Sequence, residues 1–349
     1  MLLYTFRYLK SGPRNPGADV ESSQETIDII SMVYPMPNLT VDLVMATVVG
    51  DDISWTDNIR IPHLNIVRYF ADNQKAQYHP EKNKGREATM YLTYIVDHYD
   101  SLPDISIFAH AHERPWHVEP VLSNSMAYTL SQLDLVEVQR RGYVNLRVSW
   151  QNACPNWIDT TIPVGESQKK EEVYVRQAFL DNFPPTDDQG AVDGVPQYLA
   201  QPCCSQFAVA RDTILSVPRD QYAKHLKWLL TTELPDYISG RTWEHMFQYL
   251  FTKRAVDCPI EWKTLCKMYH VCFQNARYLQ NYIELGWEKA NLEEKLGFWA
   301  EFKNPAEGQT ARVRIKEIEK ALVDGMVVAL KRGKDEKWRL SAMTDIYVD

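Results

Sequence analysis

The chain lacks most features that would assign it to a familiar functional class. No apolar run approaches the roughly 20 residues that a bilayer-spanning helix needs. The opening MLLYTFRYLKSGPR begins apolar but has no extended hydrophobic region and no small-residue cleavage site, so no signal peptide is expected. The six cysteines, Cys154, Cys203, Cys204, Cys258, Cys266 and Cys272, include no CxxC pair. Scattered through a long chain, they read as reduced cytosolic thiols rather than a disulfide framework, so a cytoplasmic location without membrane attachment is expected. The GxGxxG and GxxxxGK(S/T) loops are absent, which removes the usual cradles for a dinucleotide or a nucleoside triphosphate. No Ser-His-Asp or Cys-His arrangement is recognisable by spacing. There is no basic excess either. The formal net charge is −8, so a polyanionic partner must be met by a local patch against the average field.

What is present reads as α/β. VDLVMATVVG (41–50) is a nearly continuous apolar run, as expected of a strand buried on both faces. LNIVRYF (64–70) and ISIFAH (105–110) are further strands, with an amphipathic helix over 86–102 between them. This order predicts a mostly parallel central sheet flanked by helices. Helices are also predicted at 123–133, 218–234 and 241–251, and strands at 144–150 and 203–211. Residues 155–200, rich in Pro, Asp, Gly and Gln, read as a long irregular excursion or lid. The predicted organisation is an N-terminal arm with a short helix (1–40, the helix at 22–33), an α/β catalytic domain (41–253) and an appended C-terminal helical segment (254–349).

Candidate site residues cluster where strands end, because ligands of open α/β sheets bind outside the carboxyl ends of the strands. Arg86 and Glu87 start the 86–102 helix at such an edge, and Glu87 also suits the positive end of the helix dipole. Asp51 and Asp52 follow the first strand directly and can hold a cation or cap a turn. In HAHERPWH (110–117), His110 and His112 alternate, and with His117 they can bind zinc or serve as acid–base groups. Asp134 and Glu137 share a helix face and can grip a guanidinium, although a solvated helix end explains the spacing as well. Gln206 lies in a strand, and Glu244 lies beside Trp243, Phe247 and Tyr249, where desolvation would raise its pKa and suit a general base.

Three stretches, NKGREATMYLTYIVDHYDSLPDISIF, CCSQFAVARDTILSVPRDQY and SGRTWEHMFQYLF, together resemble a fungal family long described as of unknown function. Its members include the arginine-containing cyclodipeptide synthases. The resemblance covers roughly residues 41–258 and implies a Rossmann-like or glycosyltransferase-A-like sheet. It also implies condensation of arginine with a second amino acid, both delivered as aminoacyl-tRNAs, into a diketopiperazine of fungal secondary metabolism. Aminoacyl esters are already activated, so no ATP, cofactor or metal is implied. The family's Asp-x-x-Glu pair falls on Asp134 and Glu137, and the usual His after Gly-Arg-Glu-Ala is Thr89 here.

On this reading Asp51, Asp52, Glu87, Asp134 and Glu137 are the pool of carboxylates for arginine, with Gln206 and Thr89 also lining the substrate site. Glu244 or His117 is the base, and Arg86 steadies an oxyanion or a tRNA-end phosphate. Lys224, Lys227, Lys331 and Arg332 are candidates for the tRNA surface, although the last two are interleaved with Asp335 and Glu336. The alternatives are a sugar-nucleotide glycosyltransferase with Asp51 and Asp52 on a divalent metal, a non-catalytic binding protein, and a zinc protein.

Overall fold

Val41–Thr47 (β1) has almost no polar face. Leu43, Val44 and Met45 are fully buried, as a strand covered on both sides requires. The computed structural model describes residues 38–188, 190–302, 305–341 and 346–347, so the expected N-terminal arm and 22–33 helix lie outside the described residues. Strand β1 is flanked in parallel by Leu64–Phe70 (β2) and Ile105–His110 (β3), with Val41 opposite both Leu64 and Ile105. Tyr143–Asn145 (β4) and Phe207–Ala210 (β5) complete a five-stranded sheet of order β2-β1-β3-β5-β4. Strand β5 runs antiparallel to both neighbours. The sheet is therefore mixed: parallel at its core, with one reversed strand.

Helix α1 (Arg86–His98) passes into a 3-10 turn at Tyr99–Ser101, close to the predicted end. It differs from an amphipathic surface helix in that Ala88 through Ile95 are all buried. Tyr91 packs on Phe108 of β3 and Phe207 of β5, with ring centroids 5.0 and 5.9 Å apart. Helix α2 (Leu135–Arg141) leads into β4. Helix α3 (Glu172–Asn182) lies within the stretch expected to be an irregular lid. That stretch is packed rather than free: Ile158, Phe179, Phe183 and Leu199 all enter the core. Helix α4 (Arg219–Thr231) follows Pro218 and packs on α1. The predicted 241–251 helix is two helices, α5 (Asp236–Glu244) and a short one at Phe247–Thr252, broken at His245 and Met246.

The C-terminal part is helical, as expected: α6 (Glu261–Tyr269), then α7 (Ala276–Phe302) packed along α8 (Pro305–Lys334). Helix α6 is tied into the α/β body, since the Asp134 N–H donates to the Met268 carbonyl (2.8 Å) and the Tyr269 hydroxyl to that of Leu146 (2.9 Å). The cysteines depart from the reading of free thiols. All six are paired, Cys154 with Cys258, Cys203 with Cys204 and Cys266 with Cys272. Folding brings together Cys154 and Cys258, which are 104 residues apart, so no local spacing could signal the pair. Among the described residues no helix is long and apolar enough to cross a membrane.

Candidate active site

The site forms at the carboxyl edge of the parallel strands, and its first requirement is the entry into α1. Gly85 precedes the helix with φ +71°, a left-handed conformation that other residues adopt at a cost. A Cβ there would lie 2.7 Å from Thr89 Oγ1 and 2.9 Å from Leu229 Cδ2. Helix α5 crosses closely at Gly240, where a Cβ would meet the Gly85 carbonyl oxygen at 3.0 Å. This packing sets Glu87, in the first turn of α1, against the end of β3.

Glu87 Oε1 lies 3.2 Å from His110 Nδ1. The other ring nitrogen, His110 Nε2, is 3.1 Å from the Cys204 carbonyl oxygen, so with both nitrogens facing oxygens the charged imidazolium satisfies each. Burial opposes charge on both partners. The mutual hydrogen bond and attraction prevail, holding Glu87 down at about 2 and moving His110 above its ordinary value. Gln206 fixes the strand end: its Oε1 accepts from the His110 N–H (3.1 Å) and its Nε2 approaches the His117 carbonyl (3.5 Å). The His117 ring stacks on His110 at 4.8 Å. Burial, and then the neighbouring positive charge of His110, push His117 down to about 4, so it is neutral at pH 7.

Glu244, at the C-terminal end of α5, is close enough to feel the charges of both Glu87 and His110. Burial, reinforced by Glu87, raises its pKa against the pull of His245 and His110. Beneath the two carboxylates, the Tyr91 hydroxyl is buried and has no hydrogen-bond partner among the described residues. Burial and the charges of Glu87 and Glu244 keep it protonated. Around this centre, Glu171 lies 3.3 Å from Arg241 and 3.7 Å from His245, and its interactions with His245 and Arg241 outweigh burial to hold it at about 2. Arg147 is nearly buried, with Nη1 donating to the Trp116 carbonyl (3.3 Å) and to Cys203 Sγ (3.1 Å).

A family model described as "Protein of unknown function (DUF3431)" matches residues 43–267. The chain belongs to this family. No curated protein and no solved structure matches it.

In this DUF3431 member, three residues singled out from the sequence, Glu87, Gln206 and His117, gather round His110, and a fourth, Glu244, lies within electrostatic reach of it. Asp51 lies on the neighbouring loop. Its Oδ2 accepts from the Val48 N–H (2.8 Å) and its Oδ1 is 3.8 Å from His112 Nε2. Asp52 is exposed and caps the Ser54 N–H (2.8 Å), the turn role weighed for it above. Arg86 is exposed at the first helical position with φ +52°. Thr89 is buried and donates its hydroxyl to the Lys84 carbonyl, so it holds the loop before α1.

Asp134 and Glu137 are engaged elsewhere. Asp134 caps α2 and meets His270 Nε2 at 2.9 Å, while Glu137 is gripped by Arg140, Arg141 and Lys267. Lys224 and Lys227 are exposed on α4; Lys331 and Arg332 lie at the end of α8, with Arg332 over the Trp338 ring at 5.4 Å. The zinc arrangement of three histidines does not form: His112 turns out to Asp51, and no group of three metal-ligating side chains comes together among the described residues.

Sequence reasoning missed Tyr91, and it offered His110 as a zinc ligand or an acid–base group without placing it beside Glu87. Tyr91 stands four residues after Glu87, a spacing that stacks side chains on one helix face. Glu171 and Arg147 offer no such local signal.

Proposed function

We propose that the chain is an aminoacyl-tRNA-dependent cyclodipeptide synthase that joins arginine, from arginyl-tRNA, to a second aminoacyl-tRNA-borne amino acid. The observation that supports it is the His110–Glu87 ion pair set beside Glu244. One centre thereby holds a positive charge and a carboxylate with a raised pKa. Peptide-bond formation between activated esters needs those two functions and no more.

In the mechanism, Glu244 takes the proton of the attacking amino group. With its conjugate acid near 4, His117 is a weaker base than Glu244 for this step. The amine attacks the ester carbonyl of the second aminoacyl group, and His110, whose two N–H groups are engaged by Glu87 and the Cys204 carbonyl, stabilises the oxyanion through its positive charge. Collapse expels the terminal ribose oxygen of that tRNA, which takes up the proton. A second attack, by the free amine of the dipeptidyl ester on its own ester carbonyl, closes the ring and releases the other tRNA. Asp51 and the exposed part of Glu87 are the carboxylates at this edge for a guanidinium. The Rossmann-like or glycosyltransferase-A-like form of the sheet belongs to the same proposal.

The glycosyltransferase alternative assigns Asp51 and Asp52 to a metal-bound nucleotide, but Asp52 is turned onto the Ser54 N–H and no third metal-ligating side chain joins the two among the described residues. The test is expression in a bacterial host, which supplies every aminoacyl-tRNA, followed by mass spectrometry for arginine-containing cyclic dipeptides. The expected result is a new cyclo-arginyl product that is lost in Glu244→Gln and Glu87→Gln. Soluble, folded protein without such a product overturns the reading. A manganese-dependent thermal shift with a nucleotide sugar would then favour the alternative.

A further inference from the structure

The opposite edge of the sheet carries a second, independent feature. Tyr143 pairs with Val209 and Asn145 with Phe207, so the chain before Tyr143 and after Ala210 emerges away from His110. A cavity of about 650 Å³ opens there, lined by Arg140, Arg141, Arg254, Lys267, Tyr143 and Thr213 among others. Four cations round one cavity stand out in a chain of net charge −8. Two carboxylates reach them among the described residues. Glu137 lies 2.6 Å from Arg140, 2.8 Å from Arg141 and 3.9 Å from Lys267. Asp257 lies 3.9 Å from Arg254 and accepts from the Tyr347 hydroxyl at 2.8 Å. A third carboxylate, Asp134, acts on Lys267 at longer range, and four cations against these three still leave a net positive charge.

The shape fits more than a bare ion. Tyr143 is buried and stacks on Phe251 at 5.6 Å, giving the cavity an aromatic floor. The guanidinium of Arg254 lies over the Tyr347 ring at 4.2 Å, which holds its planar fork in place. Burial lowers the Lys267 pKa; Glu137 raises it, while Arg140 and Arg141 press it down again. A bound dianion would relieve that crowding. Guanidinium groups match phosphate oxygens in pairs, which favours phosphate over a single carboxylate.

We propose that this cavity binds the dianionic phosphate of a small phosphate ester, with Arg140, Arg254 and Lys267 on the phosphate and the Tyr143 floor against the organic part. The proposal does not depend on the function assigned to the Glu87 edge. Titration calorimetry on the full chain would use inorganic phosphate, ribose 5-phosphate and adenosine monophosphate, with chloride at matched ionic strength as control. Arg140→Gln and Arg254→Gln are suitable variants because both side chains are more than half exposed, 62% and 52%, so the fold should survive their loss. The expected result is that the esters bind more tightly than inorganic phosphate, and that each variant weakens them by about tenfold. Affinity equal to the chloride control, or unchanged in both variants, overturns the site. Equal affinity for all three phosphates overturns the ester and makes free phosphate the ligand.

Discussion

Replacing Glu87 by glutamine removes one half of the ion pair that charges His110, and the consequence depends on pH in a definite direction. The carboxyl falls from 4.5 when unfolded to about 2 when folded. At 1.36 kcal/mol for each tenfold change, that difference corresponds to about 3 kcal/mol. The side chain is 33% exposed, and solvent screening reduces the usable part to about 1–2 kcal/mol. Because the folded value is depressed, this stability is complete above pH 4.5 and is lost as pH falls from there through about 2. His110 reports the same pair from the other side. Its folded value is raised above 6.5, so its share is complete below 6.5 and is lost as pH rises through the folded value.

Guanidinium denaturation of wild type and Glu87→Gln should therefore differ most between pH 4.5 and 6.5 and converge on both sides. For a chain of this size the loss corresponds to a Tm lower by about 1–3 °C on that plateau. Without its carboxylate partner, His110 is left to burial, so its imidazole signals should titrate at lower pH in the variant. A stability difference that stays constant from acid to alkaline pH would refute the ion pair as the source of the perturbed titrations.

Other substitutions probe the same framework. Gly85→Ala should destabilise by about 2–3 kcal/mol, from the left-handed backbone and the crowding against Thr89 and Leu229, as measured by denaturant titration. Tyr91→Phe removes a buried hydroxyl that has no described partner, so stability should hold or rise by about 1 kcal/mol, while cyclodipeptide yield falls if that hydroxyl serves the site. Cys154→Ser opens a cross-link across 104 residues and should cost about 2–5 kcal/mol; a non-reducing peptide map of the wild type should contain the Cys154–Cys258 pair.

The parallel strands were legible because a strand buried on both faces shows as an unbroken apolar run, as β1 does. Strands β4 and β5 were read too long because their apolar neighbours, such as Leu146 and Val148, are buried in irregular chain instead. The 155–200 stretch looked loose because its turn residues dominate the composition, yet Phe179, Phe183 and the buried Glu172 carboxylate, which meets Lys169 at 2.9 Å, anchor it. Glu87 could be singled out from its place at a helix start. Its meeting with Glu244, contributed by a helix far along the chain, is a tertiary event that no local pattern encodes. Asp134 and Glu137 were noticed for their mutual spacing, but the stronger local signal was the pair of arginines three and four residues after Glu137.

The reversed strand has a consequence for how the protein is made. Ile105 of β3 pairs with Ala210 of β5, so the apolar edge of β3 waits for a segment synthesised about 100 residues later. Until Phe207–Ala210 emerges from the ribosome, the nascent β2-β1-β3 unit presents an open ladder of unpaired N–H and C=O groups. Chains interrupted before that point carry the edge permanently, and their natural substitute for β5 is the edge of another unfinished copy.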